Sequence, residues 1–129
     1  MPGSFLLDTN IAVALLAGED VVRASLNQGG LTFLSSIVLG ELFYGARKSA
    51  RVVSNLSRVE ELAAKFVVLN CDVSTARHYG KIRELLRTKG RPIPENDIWI
   101  AAHAQQYDLT LVTRDAHFSA VEGIRIEAW

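Results

Sequence analysis

Short apolar runs alternate with longer stretches of helical period along this chain. Residues 4–8, SFLLD, are apolar until they end in a carboxylate, and Pro2-Gly3 precede them, which predicts a short, fully buried strand. Asp8 to Asn10 then supply cap residues for a helix through IAVALLAG, which Gly18 ends. EDVVRASLNQ predicts a second short helix, closed by Gly29-Gly30. LTFLSS predicts the next strand, and its two serines suit the start of a helix through IVLGELFYGAR.

Over residues 49–65, Val52, Val53, Leu56, Val59, Leu62 and Ala63 fall at helical spacing between charges. FVVLN predicts a third strand. A helix over 73–88 follows, with Val73, Ala76, Ile82, Leu85 and Leu86 inward and its basic residues outward. The turn-rich TKGRPIPEN leads into a helix through DIWIAAHAQQY, and LTLVT and GIRIEAW supply the last strands. Strands that alternate with helices predict an α/β fold: one domain over residues 1–129, with a central, mostly parallel sheet of about five short strands, right-handed crossovers and helices on both faces.

Composition agrees with that pattern. A chain of 129 residues with 49% hydrophobic content is able to bury roughly two-thirds of the surface its unfolded form exposes. Three prolines and nine glycines leave no room for a linker or a disordered tail. Cys71 is the only cysteine, which excludes an internal disulfide and fits a reducing compartment; the expectation for it is a small buried hydrophobe. IAVALLAG has no basic residue ahead of it, and no run approaches the ~20 apolar residues that span a bilayer. No membrane association and a cytoplasmic location are expected.

The formal net charge of zero conceals an uneven distribution. Arg77, Lys81, Arg83, Arg87, Lys89 and Arg91 crowd one stretch with Glu84 alone opposing them. Arg47, Lys48, Arg51, Arg58 and Lys65 form a weaker basic stretch. A basic helix is ordinarily a solvated face, and the overall balance does not by itself announce a nucleic-acid binder.

Four acids stand where the chain leaves a strand or enters a helix: Asp8, Glu41, Asp97 and Asp115. In open α/β sheets, ligands bind beyond the carboxyl ends of the strands. Singly, Asp8 and Asp97 are also explained as helix caps or first-turn acids, and Asp115 as a turn residue. Glu41 is harder to explain that way, because its helical neighbours Ile37, Val38, Tyr44 and Gly45 are apolar or small. A carboxylate there needs a cation or a buried arginine. Clustered carboxylates repel, and a hard divalent cation such as Mg²⁺ or Mn²⁺ removes the conflict.

DTN after an apolar strand, the isolated Glu in LGELFYGA, NDIWIAAHA and LVTRDAHF, in that order, resemble the PIN-domain ribonucleases, and in particular the VapC toxins of prokaryotic toxin–antitoxin pairs. The resemblance covers nearly the whole chain. It implies Mg²⁺- or Mn²⁺-dependent endoribonuclease activity, with Asp8, Glu41, Asp97 and Asp115 matching the family's acidic quartet as metal-binding and catalytic residues. Thr113 matches the hydroxyl that supports the cluster, and Thr9 and Asn10 match the polar residues after the first acid. It also implies a homodimer, a VapB-type antitoxin whose C-terminal segment blocks the site, and transfer or ribosomal RNA as target. DNA would be contacted only through the antitoxin. Arg77, Lys81, Arg83, Arg87, Lys89, Arg91 and Arg114 are the candidates for RNA phosphates.

Other chemistries fit less well. A metal-free ribonuclease needs a histidine pair; His78 and His103 sit in predicted helices without an evident partner, and His117 is left alone. A haloacid-dehalogenase-type phosphotransferase needs a second acid where Asn10 stands, and a response-regulator receiver needs a lysine where Arg114 stands. A non-catalytic module that binds RNA or an antitoxin remains the alternative that the sequence alone leaves open.

Overall fold

In the computed structural model, which describes residues 3–129, the apolar run ahead of Asp8 forms β1 (Ser4–Leu7). Met1 and Pro2, and with them half of the turn expected before β1, lie outside the described residues. Leu6 and Leu7 are fully buried because β1 is the central strand, paired in parallel with β2 (Leu31–Ser35) on one side and β4 (Thr110–Val112) on the other. Adding β3 (Val67–Leu69) and β5 (Arg125–Glu127) gives a five-stranded, all-parallel sheet in the order β3-β2-β1-β4-β5.

Successive strands step one way from β1 to β3, then the chain returns across β1 to β4. The strand order therefore reverses between β1 and β4, and right-handed crossovers set the later helices against the face opposite the earlier ones. The earlier helices are α1 (Thr9–Leu16), α2 (Asp20–Leu26), α3 (Ser36–Arg47) and α4 (Val52–Lys65). The later ones are α5 (Val73–Lys89) and α6 (Glu95–Gln106), followed by a 3-10 turn at Ala116–Ala120. Ligands of such sheets bind in the crevice at the carboxyl ends of the two strands where the order reverses. Here that places a crevice beside Asp8 and Thr113.

Local signals account for most boundaries. Gly18 lies at φ 80°, in the left-handed region that ends α1, and the Ser35 side chain accepts from Ile37 N at 3.0 Å to cap α3. A Cβ on Gly30 would stand 2.2 Å from Gly3 O, so the entry to β2 is closed to any other residue.

Four expectations are corrected. The amphipathic helix starts at Val52 rather than at 49, and Val53 points to solvent at 83% exposure. Along α5 the buried residues are Thr75, Ile82 and Leu86, whereas Val73, Ala76 and Leu85 are exposed. Thr75 enters the core because its polar atoms are satisfied there: it closes a capping box with Asp72, and its hydroxyl donates to Gln106 Oε1 at 2.6 Å. Helix α6 begins at Glu95, so Asp97 is in its first turn and not at its start. Finally, Cys71 is exposed, in the turn between β3 and the Asp72 cap. Among the described residues no helix is long and apolar enough to cross a membrane.

Candidate active site at the carboxyl ends of β1 and β4

Parallel pairing sets Leu7 beside Val112, and the ladder extends one step further as Asp8 N donates to Val112 O at 2.9 Å. Asp8 is thereby fixed by backbone on the sheet side and is 4% exposed. Its Oδ1 accepts from Thr9 N at 2.8 Å, capping α1, and its Oδ2 accepts from Thr113 Oγ1 at 2.7 Å. The same Thr113 oxygen accepts from Asp115 N at 3.0 Å, and that leaves the hydroxyl hydrogen for Asp8. Thr113, buried at 3% exposure, thus ties the first acid to the last.

Asp97 projects from the first turn of α6 with its side chain 15% exposed. Asp115 caps the 3-10 turn, accepting from His117 N at 2.9 Å. The His117 ring folds back so that Nδ1 stands 3.0 Å from Asp115 Oδ1 and 3.3 Å from Asp97 Oδ2. One donor atom from each of Asp97, Asp115 and His117 lies within 4.8 Å of the other two.

Burial pushes the Asp8 carboxyl up, against the pull of its bonds from Thr113 and Thr9; the charge on Asp115 adds to the rise. Asp97 is pushed up to about 6, first by burial and then by the Asp8 charge, with His117 opposing. Carboxylates held together with water stripped away are poor neighbours until a cation joins them. The donor set, the Asp97 and Asp115 carboxylates and the His117 imidazole, with the buried Asp8 carboxyl near enough for its charge to raise Asp97, fits a hard divalent ion such as Mg²⁺ or Mn²⁺.

Glu41 is half-buried on α3 and stands outside the set of three donors. Among the described residues no arginine pairs with it; its Oε1 accepts from Thr9 Oγ1 at 3.1 Å. It borders a cavity of about 240 Å³ between α1, α3 and α4, lined also by Val13, Leu16, Arg58 and Val59. Asn10 Oδ1 accepts from Arg114 N at 3.3 Å and so steadies the strand-to-turn exit after β4.

The basic residues divide into two groups. Arg114 is bound to Glu19 at 2.7 Å and donates to Trp129 O at 2.8 Å. Arg83 meets Glu95 at 3.7 Å and the Tyr79 hydroxyl at 2.6 Å, Arg87 pairs with Glu84, and Lys89 meets Glu122 at 3.0 Å. Arg77, Lys81 and Arg91 are exposed. Of all these, Arg91 shares a cavity with His117, walled by Pro92, Ile93, Ala116 and Ala120.

His117 is the site residue that sequence reasoning passed over. Its signal lay in position: two residues beyond Asp115, within the turn that Asp115 caps. The role of Thr113 yields an expected result. Thr113→Val keeps the shape but removes the link between Asp8 and Asp115, and loss of such a supporting bond costs roughly 10–100-fold in activity or metal affinity. Thr113→Ser is expected to recover most of it. Equal loss from both substitutions, in metal titrations of the folded proteins, would contradict this role.

The chain matches the PIN domain family over residues 5–124. It is 39% identical to the tRNA(fMet)-specific endonuclease VapC of Shigella flexneri over 97% of each chain. It is 35% identical to ribonuclease VapC2 of Haemophilus influenzae, again over 97% of each. In a crystal structure of VapBC2 from Rickettsia felis bound to promoter DNA, a chain 31% identical superposes with a TM-score of 0.91, covering 97% of this chain and 98% of that one. A chain of DNA-bound VapBC from Salmonella typhimurium, 37% identical, gives 0.90 over 98% of each. With the acids at the β1/β4 crevice and likeness over nearly its full length, the chain belongs to the PIN-domain family and, within it, to the VapC proteins.

Proposed function

We propose that this chain is a Mg²⁺- or Mn²⁺-dependent endoribonuclease, acting in the cytoplasm as the toxin of a type II toxin–antitoxin pair. The observation that carries the reading is the pair Asp8 and Asp97, held on separate rigid elements, partly stripped of water and each raised in pKa. That arrangement disfavours two charges unless a cation is bound, and so favours a metal site over a set of helix caps. The curated relatives, named as ribonucleases and endonucleases, support it.

In this reading Asp8, Asp97 and Asp115 hold the metal, and Glu41 holds metal or orients the attacking water. A bound divalent ion supplies a Lewis acid for the phosphodiester and a means of activating water. The chain's own contribution is placement. β1 and Thr113 fix Asp8, the first turn of α6 fixes Asp97, and Thr9 holds Glu41 towards the same side. Arg77, Lys81 and Arg91 meet RNA phosphates.

The target class is structured RNA, transfer or ribosomal. Initiator tRNA is the first to test, given the name of the Shigella relative. The partner is a VapB-type antitoxin, whose terminal segment suits the apolar cavity beside Glu41, with DNA contacted only through that partner. The active unit is a homodimer, which light scattering at micromolar concentration tests.

Induced expression in a host cell, with RNA 5′ ends sequenced before and after, tests the function. Growth arrest with new ends at a few sites is expected from the wild type and neither from Asp8→Asn. Arrest by both proteins, without new ends, would favour the non-catalytic binding module. For the basic face, Arg91→Ala is expected to weaken RNA binding and to lower the salt slope by about 1. Arg87→Ala is expected to change both less, because Arg87 already pairs with Glu84. Equal losses from the two would contradict the assignment.

A further inference from the structure

His117 does more than fill the turn after β4. Its backbone N–H is fixed by Asp115 Oδ1 at 2.9 Å, and this turns the imidazole back over the acids. Nδ1 then faces two carboxylate oxygens from two different elements, at 3.0 Å and 3.3 Å. A single hydrogen on Nδ1 cannot point along both contacts. Donors in adjacent positions on an octahedral cation, with bonds of about 2.1 Å, stand about 3 Å apart, and opposite donors about 4.2 Å apart. The separations of His117 Nδ1 from Asp115 Oδ1 and from Asp97 Oδ2, 3.0 Å and 3.3 Å, are those of neighbouring donors around one ion, and one donor atom from each of the three residues lies within 4.8 Å of the other two. The His117 side chain is 50% exposed, so the outer side of such a position stays open to water and substrate.

From this geometry we infer that His117 Nδ1 is itself a ligand of the divalent cation held by Asp97 and Asp115, and that it makes the site prefer Mn²⁺ to Mg²⁺. The inference rests on the metal-dependent reading above. Mg²⁺ keeps a shell of carboxylate and water oxygens and gains little from an imidazole. A first-row transition ion accepts nitrogen more readily. As a ligand, His117 carries its ring hydrogen on Nε2 and leaves Nδ1 bare for the ion.

The test uses the purified, antitoxin-free chain and reads binding, not turnover. Mn²⁺ and Mg²⁺ are titrated calorimetrically, and the Mn²⁺-loaded protein is examined by pulsed EPR for modulation by a directly bound nitrogen-14. Wild type is expected to show that modulation, and His117→Gln to lose it. In His117→Gln, Mn²⁺ affinity falls at least roughly ten-fold while Mg²⁺ affinity changes by less than about three-fold. His117→Asp, which offers oxygen instead, is expected to narrow the Mn²⁺/Mg²⁺ ratio by strengthening Mg²⁺. Tight Mn²⁺ binding without nitrogen modulation, or equal loss of both ions in His117→Gln, would overturn the inference and leave the metal site standing. Wild type that binds neither ion would remove both.

Discussion

Asp97→Asn is expected to lose at least ~10³-fold in RNA cleavage, of the order seen when a group that stabilises transition-state charge is removed, and at the same time to stabilise the metal-free protein at neutral pH. The second half follows from the raised carboxyl. Asp97 titrates at about 6 in the fold, against an ordinary 3.8. A group raised on folding contributes most below its unfolded pKa, and that contribution is lost as pH climbs through the folded value. By pH 7.5 the full penalty of the buried charge is in place, about 1–3 kcal/mol for a shift of this size. Asparagine carries no such penalty. Urea denaturation in EDTA should therefore find the variant more stable by that margin at pH 7.5, with the gap closing towards pH 4. A variant less stable than wild type at pH 7.5 would mean that the carboxylate has an unrecognised cationic partner.

Asp8→Asn is expected to abolish cleavage to a similar degree with the fold intact. Asparagine caps helices as well as aspartate does, so the bond from Thr9 N survives the change. At the second oxygen an amide NH₂ would replace an acceptor, and Thr113 Oγ1 has a lone pair to receive it once its hydroxyl turns away. The charge that burial disfavours is also gone. Circular dichroism and thermal melting should be close to wild type, while calorimetry finds metal binding weakened and gel assays find no cleavage. Full activity in a folded Asp8→Asn protein would show that the first acid is only a cap.

Much of this was legible in the sequence, for reasons that differ by element. β1 showed itself because a strand buried on both faces is a near-continuous apolar run, and Phe5, Leu6 and Leu7 form one behind Ser4. The order of strands and helices then fixed a parallel sheet, and with it the edge to which Asp8 and Asp115 belong. The inward face of α5 was legible at Ile82 and Leu86 but not at position 75, a buried threonine satisfied by Asp72 and Gln106, because hydrophobic periodicity does not register a hydroxyl. Glu41 was expected to need a cation or a buried arginine, whereas the fold leaves it half-buried with Thr9 as its hydrogen-bond partner. Thr9 lies 32 residues away, on a helix that only the tertiary fold brings alongside. His117 was invisible for a related reason: a histidine in a loop says nothing until the turn capped by Asp115 swings it towards Asp97.

Under the proposed function, buried carboxylates at the β1/β4 crevice hydrolyse RNA with a bound divalent cation. The most direct measurement is cleavage of purified initiator tRNA and total RNA by the antitoxin-free protein in Mg²⁺, in Mn²⁺ and in EDTA, with the chemistry of the new ends determined. Discrete cuts that require the metal and leave 3′-hydroxyl ends are the predicted result. Cuts that persist in EDTA and leave cyclic phosphates would hand the reaction to the histidines and contradict the account.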